Sequence, residues 1–201
     1  NAYVDNILSS GHGSVVEHPT YSFLISGVSR SLTHEFVRHR AGWSYSQLSQ
    51  RYVDDEHLAF VVPFRLQQAV LEALLRGRFV CTSPGGQEYL VRRLPCTTAP
   101  DSDVKAGEIW LAGRFEDLRE YRYTVDFIAA SVPDTVTDRT ERRKIARQTA
   151  RNCLPNSTET MLIGTANARA LRHFINMRGS RHADEEIRTL TKRLSEHMRD
   201  Q

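Results

Sequence analysis

The 201-residue chain has little cysteine, little lysine and few aromatics (8%). Cys81, Cys96 and Cys153 are odd in number and follow no CxxC spacing, which argues against a disulfide scaffold or a zinc ribbon and fits reduced thiols. No apolar run approaches the roughly 18 residues of a membrane-spanning helix. The opening NAYVDNILSS has no charged start followed by an apolar block, so the reading is a cytoplasmic protein with no membrane partner. The first residue is Asn1 rather than Met, as in a piece of a longer product. There is no internal repeat and no low-complexity tract. A hydrophobic content of 40% over this length is enough to bury a core without staples, and a single domain over residues 1–201 is expected.

The scarcity of lysine is informative. Only Lys105, Lys144 and Lys192 occur, so 24 of the 27 basic residues are arginine, in a chain of net charge +3. Arginine grips phosphate and carboxylate through a planar two-point fork. A GC-rich genome also raises arginine counts, so position must decide.

Periodicity places the elements. Val4, Ile7 and Leu8 share a helical face that Gly11 would close, and apolar residues alternate at Tyr21, Phe23 and Ile25 as in a half-buried strand. A helix is predicted from Ser29 to about His39, its last turn carrying Arg38, His39 and Arg40, and another from Leu66 to Arg76. Residues 81–103, with Pro84, Gly85, Gly86, Pro95 and Pro100, read as a flexible excursion with a short hairpin near Tyr89 to Arg92. A long helix is expected from Val104 to Ala130, then one beginning at Pro133 and running to Cys153. A strand over Thr158 to Thr165 and helices over Asn167 to Met177 and Ala183 to Met198 complete an α+β chain, with a mixed or antiparallel sheet flanked by long helices.

His34-Glu35-Phe36-Val37-Arg38-His39 looks at first like a zinc-protease motif. Its histidines are five apart, which on a helix points them about 140° apart, so no metal site is expected. His12 and His18 lack a third ligand. More informative is RHRAGWSYSQLSQRY, residues 38–52, read as a polar loop in which serine and glutamine donors lie between arginines and Gly42 allows close approach of a phosphorylated ligand.

Arg38-His39-Arg40 followed by Ser46-Gln47-Leu48-Ser49-Gln50-Arg51-Tyr52 resembles the signature of the flavin-dependent thymidylate synthases. Further segments are similar to that family, in its order: Gly11-His12-Gly13-Ser14 with Glu17-His18, Phe60-Val61-Val62-Pro63, and Ala150-Arg151-Asn152-Cys153-Leu154-Pro155. Asn167-Ala168-Arg169, His173-Phe174, Met177-Arg178, His182-Ala183 and Glu186-Ile187-Arg188 continue it. The likeness covers most of residues 11–190 and is weakest over 64–140. One departure stands out. Eight residues separate Arg40 from Ser49, where the family carries seven, and the surplus lies in Ala41-Gly42-Trp43. A uridylate C5-methylase branch of nucleoside-antibiotic biosynthesis belongs to the same lineage, so a bulge meeting a ribose 2′-hydroxyl leaves both dUMP and UMP open as substrates.

The resemblance implies the family's fold and a flavoprotein methyltransferase. FAD is the implied cofactor, NADPH the reductant, methylenetetrahydrofolate the carbon donor and a homotetramer the working assembly. Arg178 would be the catalytic arginine, stabilising ionised uracil. His12, Ser14, Glu17, Arg38, His39, Arg40, Gln47, Asn167, Ala168, Arg169 and His173 would hold FAD. Glu35, Arg38, Gln47, Leu48, Ser49, Gln50, Arg51, Arg151 and Arg178 would surround the nucleotide. No cysteine lies in the signature, and Ser49, without an adjacent base, is assigned to phosphate rather than to attack.

Simpler roles exist for several of these residues. His12 or His18 would cap the opening helix, Glu17 would support a local turn, and His173 would be a core histidine beside Leu171 and Phe174. Arg139, Arg142, Arg143, Lys144 and Arg147 would form a solvated helix face, with Lys144 on the stripe of Arg151. Leu111, Phe115 and Leu118 would be core or subunit interface. An Arg-rich nucleic-acid-binding module without catalysis is the alternative function, though an exposed aromatic platform is missing from the pattern.

Overall fold

The computed structural model describes residues 2–52, 58–75, 80–82, 88–90 and 101–199. In chain order the elements are α1 (Ala2–Ser9), β1 (Thr20–Ser29), α2 (Arg30–Phe36), β2 (Trp43–Gln47), α3 (Gln67–Leu75), β3 (Val80–Thr82), β4 (Glu88–Leu90), α4 (Asp101–Ser131), α5 (Arg139–Ala150), β5 (Glu159–Asn167), α6 (Ala168–Arg178) and α7 (Glu185–Arg199). The class is α+β, mostly helical with a small antiparallel sheet. The chain divides into two compact units, Asn1–Leu48 with Glu159–Gln201, and Ser49–Thr158.

The first unit is built on a three-stranded antiparallel sheet of order β1-β5-β2, with β5 central. One face carries Tyr21, Phe23 and Ile25 of β1, Leu162 and Ala166 of β5, and Trp43 and Tyr45 of β2. Against it pack Leu32 and Phe36 of α2, Leu171 and Phe174 of α6, and Ile187 and Leu194 of α7. Phe36 is fully buried at the centre, edge-on to Trp43, Tyr45 and Phe174 at centroid distances of 5.0, 5.3 and 4.8 Å. Gly164 makes the room, since a Cβ there would stand 3.2 Å from the Phe36 ring. Between Ile25 and Val28 the register shifts, and Gly27 takes φ +68° in this bulge.

Helix starts in this unit follow side-chain capping. Ser29 Oγ accepts from Leu32 N at 3.0 Å to open α2, and Asn167 Oδ1 accepts from Ala170 N at 2.8 Å to open α6. Ser29 is itself held from α7: its N–H and hydroxyl donate to the two oxygens of Glu186 at 2.8 and 2.5 Å.

Two expectations for this unit are corrected. The α2 helix stops at Phe36, so Arg38, His39 and Arg40 lie beyond its end rather than in its last turn. Residues 43–47 form an edge strand rather than a loop, because Trp43, Tyr45 and Gln47 alternate with exposed Ser44 and Ser46.

In the second unit α4 packs against α3 and α5. Val70 and Ala73 of α3 meet Val104 and Leu111 of α4, with Val62, Leu66 and Trp110 around them. The helices approach closely at Gly107, where a Cβ would be 2.2 Å from the Ala69 carbonyl oxygen. Tyr121 is buried, as are Ala146 and Ala150 of α5. The helix expected from Pro133 begins instead at Arg139, capped by Asp138, whose Oδ1 accepts from Thr140 N at 2.8 Å. Arg142 is not part of a solvated face. Its guanidinium donates to the carbonyls of Ala129, Val132, Pro133 and Val136, tying the last turn of α4 to the residues that follow it. Phe115 is exposed, while Leu111 is core.

Within residues 81–103, Val80–Thr82 pairs antiparallel with Glu88–Leu90, and α4 already begins at Asp101. The remainder of the expected excursion, Val91 and Arg92 included, lies outside the described residues. No helix among those described is long and apolar enough to cross a membrane.

Candidate functional site

In the first unit, the turn after α2 and the last turn of α6 bring three of the expected residues together. Arg178 donates from Nε to His39 Nε2 and from Nη1 to Glu35 Oε2, both at 2.9 Å. The guanidinium and the carboxylate are about one quarter exposed, so the pair faces a partly open site. His39 accepts at Nε2, which places its own proton on Nδ1 in a neutral ring. Burial pushes its pKa below the ordinary 6.5, and the charges of Arg178 and His173 push in the same direction. The ring stands edge-on to Phe174 at 5.0 Å.

Tyr45, which the loop reading did not single out, anchors this corner. Its hydroxyl donates to the His39 carbonyl at 2.6 Å and, in a shared bond, to the Phe36 carbonyl at 3.1 Å. Burial raises its pKa well above the phenol range. The period-two pattern Trp43-Ser44-Tyr45-Ser46-Gln47 was the signal that locates it.

Residues 40–43 form a tight turn. Trp43 N donates to the Arg40 carbonyl at 3.3 Å, and Gly42 at the third position has φ +73°, as a type II turn requires. The turn lies against the start of α6: Asn167 N donates to the Gly42 carbonyl at 3.2 Å, and a Cβ on Gly42 would stand 2.8 Å from Ala170 Cβ.

The other expected residues of this unit separate into smaller groups. Arg169 pairs with Glu17 at 2.5 Å, with its guanidinium lying against Gly13. Glu17 therefore reaches across to α6 rather than supporting only its own turn. Arg169 and His173 line a crevice of about 280 Å³ with Leu8, Gly11, Arg172 and Asn176. His173 is exposed there, not a core histidine. Arg38 Nη2 meets His34 Nε2 at 3.1 Å, so the two histidines of the false zinc motif have different arginine partners. Gln47 Nε2 donates to the hydroxyls of Thr33 and Thr160 at 3.0 and 3.4 Å. Leu48 N donates to the Met161 carbonyl, and Ala168 N to the Pro19 carbonyl. His12, Ser14 and Arg40 are exposed.

In the second unit, Ser49 Oγ accepts from Arg51 N at 3.4 Å, and Tyr52 N donates to the Ser49 carbonyl at 3.1 Å. This turn lies beside α5: Arg51 reaches Gln148 at 3.5 Å, and Arg51 and Lys144 both lie over the Tyr52 ring. Gln50 Nε2 is buried without a hydrogen-bond partner among the described residues, within the segment expected to hold the nucleotide. Arg151 is exposed where α5 passes into a short 3₁₀ turn. Cys153 is a free thiol in that turn, with Sγ 3.9 Å from the Thr124 hydroxyl, and burial foremost pushes its pKa up.

An α+β protein whose first unit gathers an arginine, a carboxylate and a neutral histidine at helix ends is the class these features define. The family model described as thymidylate synthase complementing protein matches residues 1–201, and the chain belongs to that family. It is similar to proteins named flavin-dependent thymidylate synthase. That of Mycobacterium sp. (strain KMS) is 41% identical over 189 residues, 94% of this chain and 62% of the relative. That of Mycobacterium avium (strain 104) is 41% identical over 188 residues, 94% and 61% of the two chains. That of Mycobacterium leprae (strain TN) is 41% identical over 195 residues, 94% and 62%. The chain thus spans about three fifths of the length of these curated relatives.

Proposed function

We propose that the protein methylates C5 of a uridine 5′-monophosphate in an FAD-dependent reaction, with methylenetetrahydrofolate as carbon donor and NADPH as reductant. Family membership and the names of the relatives support this reading, and they favour dUMP. The observation that carries it is the Arg178 cluster. Of the five N–H groups of the guanidinium, one goes to His39 and one to Glu35, leaving three for a ligand. A permanently charged guanidinium held at Nε and Nη1, with Nη2 uncommitted among the described residues, is suited to negative charge developing at uracil N3 and its carbonyl.

The residues present suit a flavin dinucleotide. Arg172 and His173 supply cationic and N–H donors around one crevice whose wall the Arg169–Glu17 pair completes, and Asn167 accepts through Oδ1 in capping α6. When bound and reduced, the flavin supplies the hydride. In the net change C5 forms a bond to the folate-borne methylene carbon and loses its proton, tetrahydrofolate leaves, and the hydride completes that carbon as a methyl group. Glu35 and His39 hold the orientation of Arg178. Ser49, Gln50, Arg51 and Arg151 are assigned to the nucleotide, and Lys144 is a further cation beside them. The proposed assembly is a homotetramer, in which exposed Ile109, Tyr123 and Phe127 of α4 are surface for subunit contact.

The test is purification of the full-length protein followed by turnover with dUMP and UMP offered side by side with folate donor and NADPH. A yellow protein that releases the C5 proton of dUMP supports the proposal, whereas a colourless one that takes up no added FAD overturns it. The eight-residue spacing keeps UMP as the second candidate. Should deletion of Gly42 leave the ratio of the two turnovers unchanged, the turn has no part in that choice.

A further inference from the structure

The crevice between α6 and the segment after α1 is lined by two arginines, and they are not equivalent. Arg169 is paired with Glu17 at 2.5 Å, so the pair carries no net charge and any phosphate approaching that guanidinium meets a carboxylate. Arg172, one turn along the same helix face, has neither hydrogen bond nor ion pair among the described residues. Gly11 and Gly13 opposite do not form a phosphate cradle, because the backbone donors of residues 10–13 are already spent. Ser10 N goes to the Asn6 carbonyl, Gly11 N to Leu8, His12 N to Ile7 and Gly13 N to Gly11. An anion seated beside Gly11 and Gly13 finds no free N–H on residues 10–13 and meets the donor side chains of α6.

Resting on the flavoprotein reading above, we infer that Arg172 is the phosphate-binding arginine of this crevice, with His173 beside it. Arg169 is then a positioning residue, clamping residues 13–17 against α6 through Glu17. The ligand class is the phosphorylated part of a dinucleotide. The crevice, at about 280 Å³, takes a fragment of such a molecule and leaves the remainder to extend beyond it.

The test measures FAD binding by the full-length wild type, Arg172→Gln and Arg172→Lys, by flavin fluorescence quenching at low and high salt. The expected result is a loss of at least about tenfold in affinity for Arg172→Gln, with most of it restored in Arg172→Lys. Salt should weaken FAD binding more in the wild type than in Arg172→Gln. Because Arg172 is exposed, the thermal unfolding midpoint should stay that of the wild type. Wild type and Arg172→Gln binding FAD equally, with equal salt dependence, overturns the assignment while leaving the flavoprotein reading intact. A wild type that binds no FAD overturns both.

Discussion

Arg178 and His39 lie 139 residues apart in sequence and are joined by a single hydrogen bond from Nε to Nε2, 2.9 Å long. The bond exists only while His39 is neutral, since a protonated ring has no lone pair to offer. Burial, then the charges of Arg178 and His173, set its pKa below 6.5. The unfolded chain therefore takes up this proton first as pH falls. The contribution to stability is complete above 6.5 and is lost progressively below it, down through the folded pKa. An NMR titration of the His39 ring in the folded protein should give a midpoint under 6.5. A midpoint at or above that value contradicts the geometry.

Arg178→Lys keeps the charge and loses the fork, so a single ammonium cannot hold Glu35 and His39 while facing a ligand. On the proposed function, kcat should fall by about 10²–10³-fold, the scale of losing one oriented anion-stabilising donor. FAD content, measured by absorbance, should change little. Turnover within a few-fold of wild type would rule Arg178 out as the anion-stabilising group.

Tyr45→Phe removes the one hydroxyl that serves the carbonyls of both Phe36 and His39. The cost should be about 1–2 kcal/mol, for a lost bond and carbonyls left short of a donor. Denaturant unfolding reads this directly. The His39 midpoint should move too, because its backbone is no longer held, and an unchanged midpoint with unchanged stability would refute the anchoring role.

Glu186→Gln tests the bond between α7 and the start of α2. Ser29 is buried and directs both N–H and hydroxyl at this carboxylate. Losing the charge-assisted pair should cost about 1.5–3 kcal/mol. Combined with Ser29→Ala the two effects should be clearly non-additive; simple addition would mean the residues act independently.

Gly42→Ala places a Cβ 2.8 Å from Ala170 Cβ on a backbone with φ +73°. Strain and overlap together should cost about 1–3 kcal/mol in unfolding experiments. A wild-type unfolding midpoint would show that the turn relaxes freely.

The sequence made the helices legible wherever apolar spacing ran without interruption. The strand before α6, α6 itself and α7 lie within a few residues of their predicted bounds, because caps such as Asn167 mark them locally. The reading failed where a local signal had two meanings. Pro133 looked like a helix start, yet the residues after it turn back so that Arg142 can tie them to the last turn of α4. Trp43 to Gln47 looked like a polar loop because its serines and glutamine lie in a run of polar donors between Arg40 and Arg51. The inward side chains become a strand only by pairing with β5.

The order of motif segments, read from the sequence alone, already pointed to the family and to the residues worth examining. Residue type was enough for that, since arginine, histidine and amide side chains carry their chemistry wherever they are placed. Which of those groups remain available to a ligand was decided only by the tertiary structure. Arg169 and Arg172 are indistinguishable as letters, but Glu17 from 152 residues earlier neutralises one and leaves the other. Gln47 gives its N–H₂ to two threonines, and His39 is kept neutral first by burial and then by the charge of an arginine 139 residues on. A charge or a hydrogen bond is spent by whatever lies within about 3 Å of it, and that neighbour is chosen by folding rather than by position along the chain.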